Sequence, residues 1–361
     1  MQAHRLPELD FFRGLALLVI LVDHIGGSIL SRFTLHSYAF NDAAEVFVFL
    51  GGFATAGAYL SLAERRGARA AAHRFVKRAG SLYRAFLLTA AAMLAVSAVF
   101  LGLHIEAPNL ASNDLRDLVH APMRTLIDLA SFQRQPYLAS VLPMYVAFAL
   151  ATPIVVPLAR RAPWRLLVCS AAIWCVAGEA ADWLPSADES YWDFNPLAWQ
   201  LVFVLGVLAR CQPVYGRIRA WSASRLVSVV ALAAAVGLGW AKLAGVGSLD
   251  AYAGKPDLDW LRLANFAAIA WLATDMTRRG WIGKIARRLS WIGEVGRDGL
   301  ASFVAGAVIS LVIDSLLYTM TDGLLHVPMG LAADAAALAA LFAVTWSRRL
   351  RSGYRASAAA A

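Results

Sequence analysis

Long apolar runs separated by short polar stretches dominate the chain. Several runs reach about 20 residues, enough for an α-helix to cross a ~30 Å hydrocarbon core. The pattern predicts ten spanning helices, at roughly 11–30, 43–62, 80–104, 138–158, 165–183, 196–211, 224–246, 260–278, 297–319 and 327–347. A β-barrel would show short alternating segments instead. The expected fold is therefore all-α and polytopic, with one integral-membrane domain over 1–350 and a disordered cytoplasmic tail over 351–361. No internal repeat of the inverted-transporter kind is visible. The first run is too long, and too polar within, for a cleavable signal peptide.

Composition and charge sharpen this picture. The 361 residues are 60% hydrophobic and 16% charged, whereas a soluble domain carries about 25% charge. The net charge of +9 excludes little by itself, but its distribution argues against nucleic-acid binding. Cations gather in alternate loops: Arg65, Arg66, Arg69, Arg74, Lys77 and Arg78, then Arg160 and Arg161, then Arg217 and Arg219, then Arg278 to Arg288, then Arg348 to Arg355. The intervening loops hold acids, including Asp114, Asp117, Asp182, Asp188, Glu189, Asp193, Asp257 and Asp259. By the positive-inside rule both termini are expected on the cytoplasmic side. The longest loop, about 105–137, then lies outside, as a binding loop, a lid or a plain connector. Cys169, Cys175 and Cys211 have no metal-ligand spacing and make no disulfide framework, so they read as small packing residues.

Two clusters carry candidate chemistry. In LDFFRGLALLVILVDHI (Leu9 to Ile25), Asp23 and His24 stand deep in the first apolar run. Ionisable groups near a membrane helix centre cost about 2.5–3.5 kcal/mol on insertion scales and often mark function. Histidine is also the side chain best suited to proton transfer near neutral pH. On a continuous helix Arg13 and His24 share a face, roughly 16 Å apart along the axis, while Asp23 lies about 100° round from His24. Asp10 is one turn before Arg13 and can pair with it. In FNDAAEVFVFLGGF (Phe40 to Phe53), Asn41 and Asp42 suit a helix start, Glu45 lies one turn further in, and Gly51 and Gly52 permit close approach of a helix or ligand. If the first two spans are antiparallel neighbours, His24 and Glu45 reach similar depth as a base and its orienting carboxylate. Each residue also has an ordinary structural reading: Asp42 as a cap, Asp10 and Arg13 as an interfacial pair, His24 as an interhelical contact. Gln200, Lys242, Asn265, Asp275 and Asp314 each stand alone in the sequence, and His73, His104, His120 and His326 show no metal spacing.

These motifs resemble the OpgC family of membrane acyltransferases, which modify osmoregulated periplasmic glucans and are related to the acyltransferase-3 group. The resemblance runs through LDFFRGLALLVILVDHI, FNDAAEVFVFLGGF, LPMYVAFALATP (Leu142 to Pro153) and FNPLAWQLVFVLG (Phe194 to Gly206). A weaker fifth stretch is GEVGRDGLASFVAG (Gly293 to Gly306), where Asp298 and Gly299 replace an expected polar-Ser pair. The resemblance implies a ten-helix body in the bacterial inner membrane that takes an acyl group, succinyl for this family, from cytoplasmic acyl-CoA. It passes the group to a hydroxyl of a periplasmic glucan. The membrane His and the first-span Arg of the related families match His24 and Arg13.

Residue chemistry fits that direction. Arg13, Arg74, Lys77, Arg78 and Arg84 are candidates for the phosphates of the acyl donor. His24, with Glu45 and Asp23, is the candidate catalytic group. Asn41, Asp42, Tyr145, Trp199 and Gln200 are candidates for the acceptor. No metal is implied, membrane lipids are the surrounding partners, and a homo-oligomer stays open. Two other readings stand beside this one: an acyltransferase for another envelope glycan, and a glycan or lipid transporter without chemistry, since membrane Asp, His and Arg also build proton relays.

Overall fold

The computed structural model describes residues 7–187, 192–213, 216 and 224–358. Asp188, Glu189, Arg217 and Arg219, assigned to loops from sequence, lie outside these, as do tail residues 359–361. The described residues are helical, with no strand among them. A helix occupies each apolar run, and six are long and apolar enough to cross a membrane: Ala43–Arg66, Ala68–Gly102, Tyr137–Arg161, Arg225–Leu243, Gly299–Thr321 and Val327–Arg351. Prolines mark several starts, because a first-turn residue needs no backbone N–H for the helix. Pro122, Pro163 and Pro196 all stand in the first turn of their helices.

The chain forms two compact units. The first covers 35–90 and 116–281. It contains α2 (Leu35–Tyr38), α3 (Ala43–Arg66), most of α4 (Ala68–Gly102), part of α5 (Ser112–His120), α6 (Pro122–Ala130), α7 (Val141–Arg161), α8 (Pro163–Cys175), α9 (Pro196–Cys211), α10 (Ser224–Leu243) and α11 (Trp260–Arg278). α3 packs closely on α9. A methyl group on Gly52 would overlap the Phe203 carbonyl, and one on Gly206 would overlap the Phe49 carbonyl. Small residues let helix backbones meet where no apolar driving force separates helix from lipid. Gly51 faces Tyr145, so both glycines of the second motif serve helix packing.

The second unit covers the described residues up to Thr34, then 91–115 and 282 onward. It holds α1 (Pro7–Asp23), the end of α4, α12 (Trp281–Arg288, from Ile282), α13 (Ser290–Arg297), α14 (Gly299–Thr321) and α15 (Val327–Ala358). α1 meets α13 by the same device as α3 and α9. A methyl on Gly14 would overlap the Ile292 carbonyl, and one on Gly296 the Asp10 carbonyl.

Four sequence expectations change. α1 ends at Asp23, well short of residue 30, so His24 stands just beyond the helix. The N–H groups of Gly26, Ile29 and Leu30 donate to carboxylates of α14 and α15 instead of continuing the helix. The stretch at 105–137 contains α5 and α6 rather than plain loop. Cys169 and Cys175 are exposed rather than packed inside. Lastly, α15 stays helical to Ala358 where a disordered tail was expected from 351. Alanine and arginine are both strong helix formers.

Candidate functional site

Within the second unit, His24 is half-buried in the turn that follows α1. Its Nδ1 lies 2.6 Å from the Ile20 carbonyl, the position four residues back. A carbonyl only accepts, so Nδ1 carries the proton. In a ring protonated only at Nδ1 the lone pair lies on Nε2, the form a general base requires. Asp23 accepts a hydrogen bond from Thr34 Oγ1 at 2.7 Å, which ties the end of α1 to the short helix Leu30–Phe33. Asp314 and Asp334, both buried, take the donors of the turn between them.

The other end of α1 carries Arg13, half-buried, with no hydrogen bond or ion pair among the described residues. The pairing with Asp10 expected from helix spacing is not the one Asp10 shows: its carboxylate faces Arg297 at 3.8 Å. The Arg13 guanidinium passes over Gly299, where a methyl group would sit 2.6 Å from Nη2. Gly299 opens α14, and Asp298 before it makes no side-chain cap. The first N–H groups of a helix carry partial positive charge. A guanidinium beside an uncapped helix start is a cationic pair whose natural complement is an anion.

The first unit holds a separate polar centre. Asp42 caps α3 by accepting from Ala44 N–H at 2.7 Å, and Glu45 Oε2 accepts from Asp42 N–H at 2.9 Å. This capping box was legible as Asn41-Asp42 with Glu45 three residues on. Arg262 of α11 closes the cluster. Its Nε donates to Glu45 Oε1 at 2.6 Å and its Nη2 to Asp42 Oδ2 at 3.1 Å. Lys255 Nζ reaches Asp42 Oδ2 at 2.9 Å and lies over the Phe194 ring at 5.2 Å. Burial disfavours the Asp42 carboxylate charge, but Lys255 and Arg262 outweigh it and hold its pKa below the ordinary carboxylate range. Burial likewise works against the Lys255 charge, and Asp42 outweighs it, so the ammonium pKa is raised. Glu45 is completely buried, and both its oxygens serve Arg262 and the α3 start. Its visible work is to fix Arg262.

The FNPLAW stretch supports this centre from below. Asn195 Nδ2 donates to the Ala177 carbonyl and to Asp257 Oδ1, and its own Oδ1 caps α9 through Leu197 N–H. Trp199 Nε1 donates to the Lys255 carbonyl at 3.0 Å, which secures the loop carrying Lys255. Trp199 is fully buried, so it offers no ring face to a sugar and acts through Lys255. Gln200 spends its amide on Ser170 and Leu197, joining α8 to α9. Its carboxamide is thus a helix clamp. Tyr145 lies edge-on to Phe47 with centroids 5.9 Å apart. Asn41 is buried, with both amide atoms lacking a partner among the described residues. Arg74, Lys77, Arg78 and Arg84 project from the exposed side of α4, opposite a buried stripe of Ala71, Phe75, Ala79, Leu82 and Phe86.

Sequence reasoning missed Arg262 and Lys255 as site residues and passed over Asp334. The signal for Asp334 was a lone acid in an apolar run, the same signal that marked Asp314. Arg262 pairs with residues more than 200 positions away, a separation that no local pattern encodes. Among the described residues no group of His, Cys, Asp and Glu could hold a metal ion.

The family model described as OpgC protein matches residues 5–352, nearly the whole chain. No curated protein and no solved structure matches it. The chain belongs to the OpgC family. Membership implies a multi-pass membrane acyltransferase acting on a periplasmic glucan.

Proposed function

We propose, from that membership, that this protein transfers a succinyl group from cytoplasmic acyl-CoA to hydroxyls of a periplasmic glucan. It works within the bacterial inner membrane, as a ten-helix body with both termini cytoplasmic. The observation that supports the reading is His24 Nδ1 at 2.6 Å from the Ile20 carbonyl, a contact that suits an imidazole using Nε2 as its base. The glycan hydroxyl gives its proton to Nε2 as its oxygen attacks the thioester carbonyl. The imidazolium then returns the proton to the departing thiolate, so charge and atoms balance.

Arg13 beside the open start of α14 supports an anion subsite for the donor, for its phosphates or for the free carboxylate of a succinyl group. The exposed cations Arg74, Lys77, Arg78 and Arg84 supply further attraction for phosphates. Asp42 and Lys255 fit the acceptor: a half-exposed ammonium and a carboxylate beside the Phe194 ring suit sugar hydroxyls and a sugar face. Asn41 and Tyr145 belong to this acceptor side, and Trp199 and Gln200 serve it from behind.

The test is ester substitution of periplasmic glucans, by mass spectrometry, in cells lacking the gene and complemented with wild type or His24→Ala. Loss of a succinyl ester without the gene, restored by wild type and not by His24→Ala at equal protein level, is the expected result. Unchanged glucan with an altered lipopolysaccharide or exopolysaccharide would move the acceptor to another envelope glycan. Full substitution with His24→Ala would remove His24 from the chemistry.

A further inference from the structure

Because α1 stops at Asp23, the helix itself does not determine where the residues after His24 go. The turn is held from outside, by two carboxylates far away in sequence. Gly26 N–H donates to Asp314 Oδ1 at 2.7 Å, while Asn109 Nδ2 donates to the other oxygen at 2.8 Å. Asp334 accepts three times: from Ser28 Oγ at 2.6 Å, Ile29 N–H at 3.0 Å and Leu30 N–H at 2.9 Å. Both acids are buried, Asp334 at 1% exposure. The seat is also sterically close. A methyl on Gly27 would approach Leu317 to 2.6 Å, and one on Gly330 would approach the Gly27 carbonyl to 2.5 Å.

Carboxylates within apolar helices are expensive, and here each is spent on one turn of backbone. Hydrogen bonds to an ionised acceptor are shorter and stronger than neutral ones. An imidazole in a free turn would sample several orientations. Four donors of the turn locked on two acids, one of them held in place by Asn109, leave the turn one arrangement, and His24 lies two residues before the first of the fixed N–H groups. We propose that Asp314 and Asp334 are positioning residues for His24, clamping the turn 26–30 so that its imidazole keeps one orientation through acyl transfer. The clamp's value to the reaction rests on the reading of His24 as base, whereas its hold on His24 does not.

The experiment separates the two. Full-length Asp334→Asn and Asp314→Asn proteins are purified beside wild type and treated with diethyl pyrocarbonate, and carbethoxylation of each histidine is followed by peptide mass spectrometry. Local opening exposes a group in proportion to the open population, so His24 should react at a rate changed by at least about fivefold. His36, His73, His104, His120 and His326 are internal references that should hold their wild-type rates. Misplacing a catalytic group by about 1 Å can lose about a hundredfold in rate, so kcat for transfer should fall at least tenfold with acceptor KM little changed. The pH profile of kcat should also be displaced, which loss of bulk stability would not do. Should either Asn variant fail to accumulate, Ser28→Ala and Asn109→Ala each remove one donor and should give smaller changes of the same kind. Wild-type His24 reactivity together with a wild-type pH profile in these variants would overturn the clamp. Full transfer by His24→Ala would overturn the base reading alone, since the reactivity of His24 still decides the clamp.

Discussion

Replacing Arg262 by Met is the sharpest perturbation of the first unit. Arg262 is 8% exposed and bridges Glu45, which is wholly buried, and Asp42. The substitution keeps most of the volume but strands the Glu45 carboxylate, left with the hydrogen bond from the Asp42 N–H. Breaking a buried pair by removing one partner typically costs about 3–5 kcal/mol, because a buried charge is left uncompensated. At roughly 2–4 °C per kcal/mol for chains of 150–250 residues, the melting temperature should fall on the order of 10 °C. Glu45→Gln in the Arg262→Met background removes the stranded charge and should recover much of that loss, giving a coupling of about 0.5–3 kcal/mol in a double-mutant cycle. Fluorescence-detected size exclusion after heating in detergent measures all four proteins. A fall of under 2 °C for Arg262→Met, or an additive double mutant, would refute the argument that Glu45 depends on Arg262.

Gly52→Ala and Gly206→Ala should each destabilise the protein strongly, since their methyl groups would strike backbone carbonyls, whereas Gly80→Ala, with open space at its Cβ, should stabilise α4 by about 0.5–1 kcal/mol. Heating curves on the three variants give the signs directly. The Asp42 pKa is depressed, so its contribution to stability is present above the unfolded value and is lost as pH falls through the folded one. The Lys255 pKa is raised, so its contribution is present below its unfolded value and is lost as pH rises through the folded one. The pair is therefore insensitive between about pH 5 and 9, given ordinary values near 3.9 and 10.4. Lys255→Met brings the folded Asp42 value back towards the unfolded one and should shrink the acid-side loss of stability in a melting series. Arg13→Gln should raise KM for the acyl donor with little change in acceptor KM, as steady-state kinetics would reveal.

Hydropathy and charge pattern were enough to indicate an all-helical chain of apolar segments, and the capping box at Asp42 and Glu45 was readable because it lies within one helical turn. The four motifs likewise led to the family. Helix ends were less legible. The apolar run from Leu9 continues through Asp23 and His24, and the local signal for an end there, Gly26-Gly27, is weaker than the hydropathy that runs past it. Beyond the glycines, Asp314 and Asp334 take the N–H groups that a longer helix would have used, and those acids lie about 290 to 305 residues further along. The contact of Glu45 with Arg262 was out of reach for the same reason. Depth along neighbouring spans suggested His24, while the carboxylate is committed to Arg262.

The sequence by itself determined the medium, the helices and the residues worth suspecting, because periodicity, charge and capping act over a few residues. Only the tertiary structure decided what those residues do. It placed His24 in a turn whose N–H groups donate to Asp314 and Asp334, gave Glu45 to Arg262, and laid Arg13 across the start of α14. Each of these depends on polar groups finding partners far along the chain, where burial makes an unpaired group expensive and so selects a single arrangement.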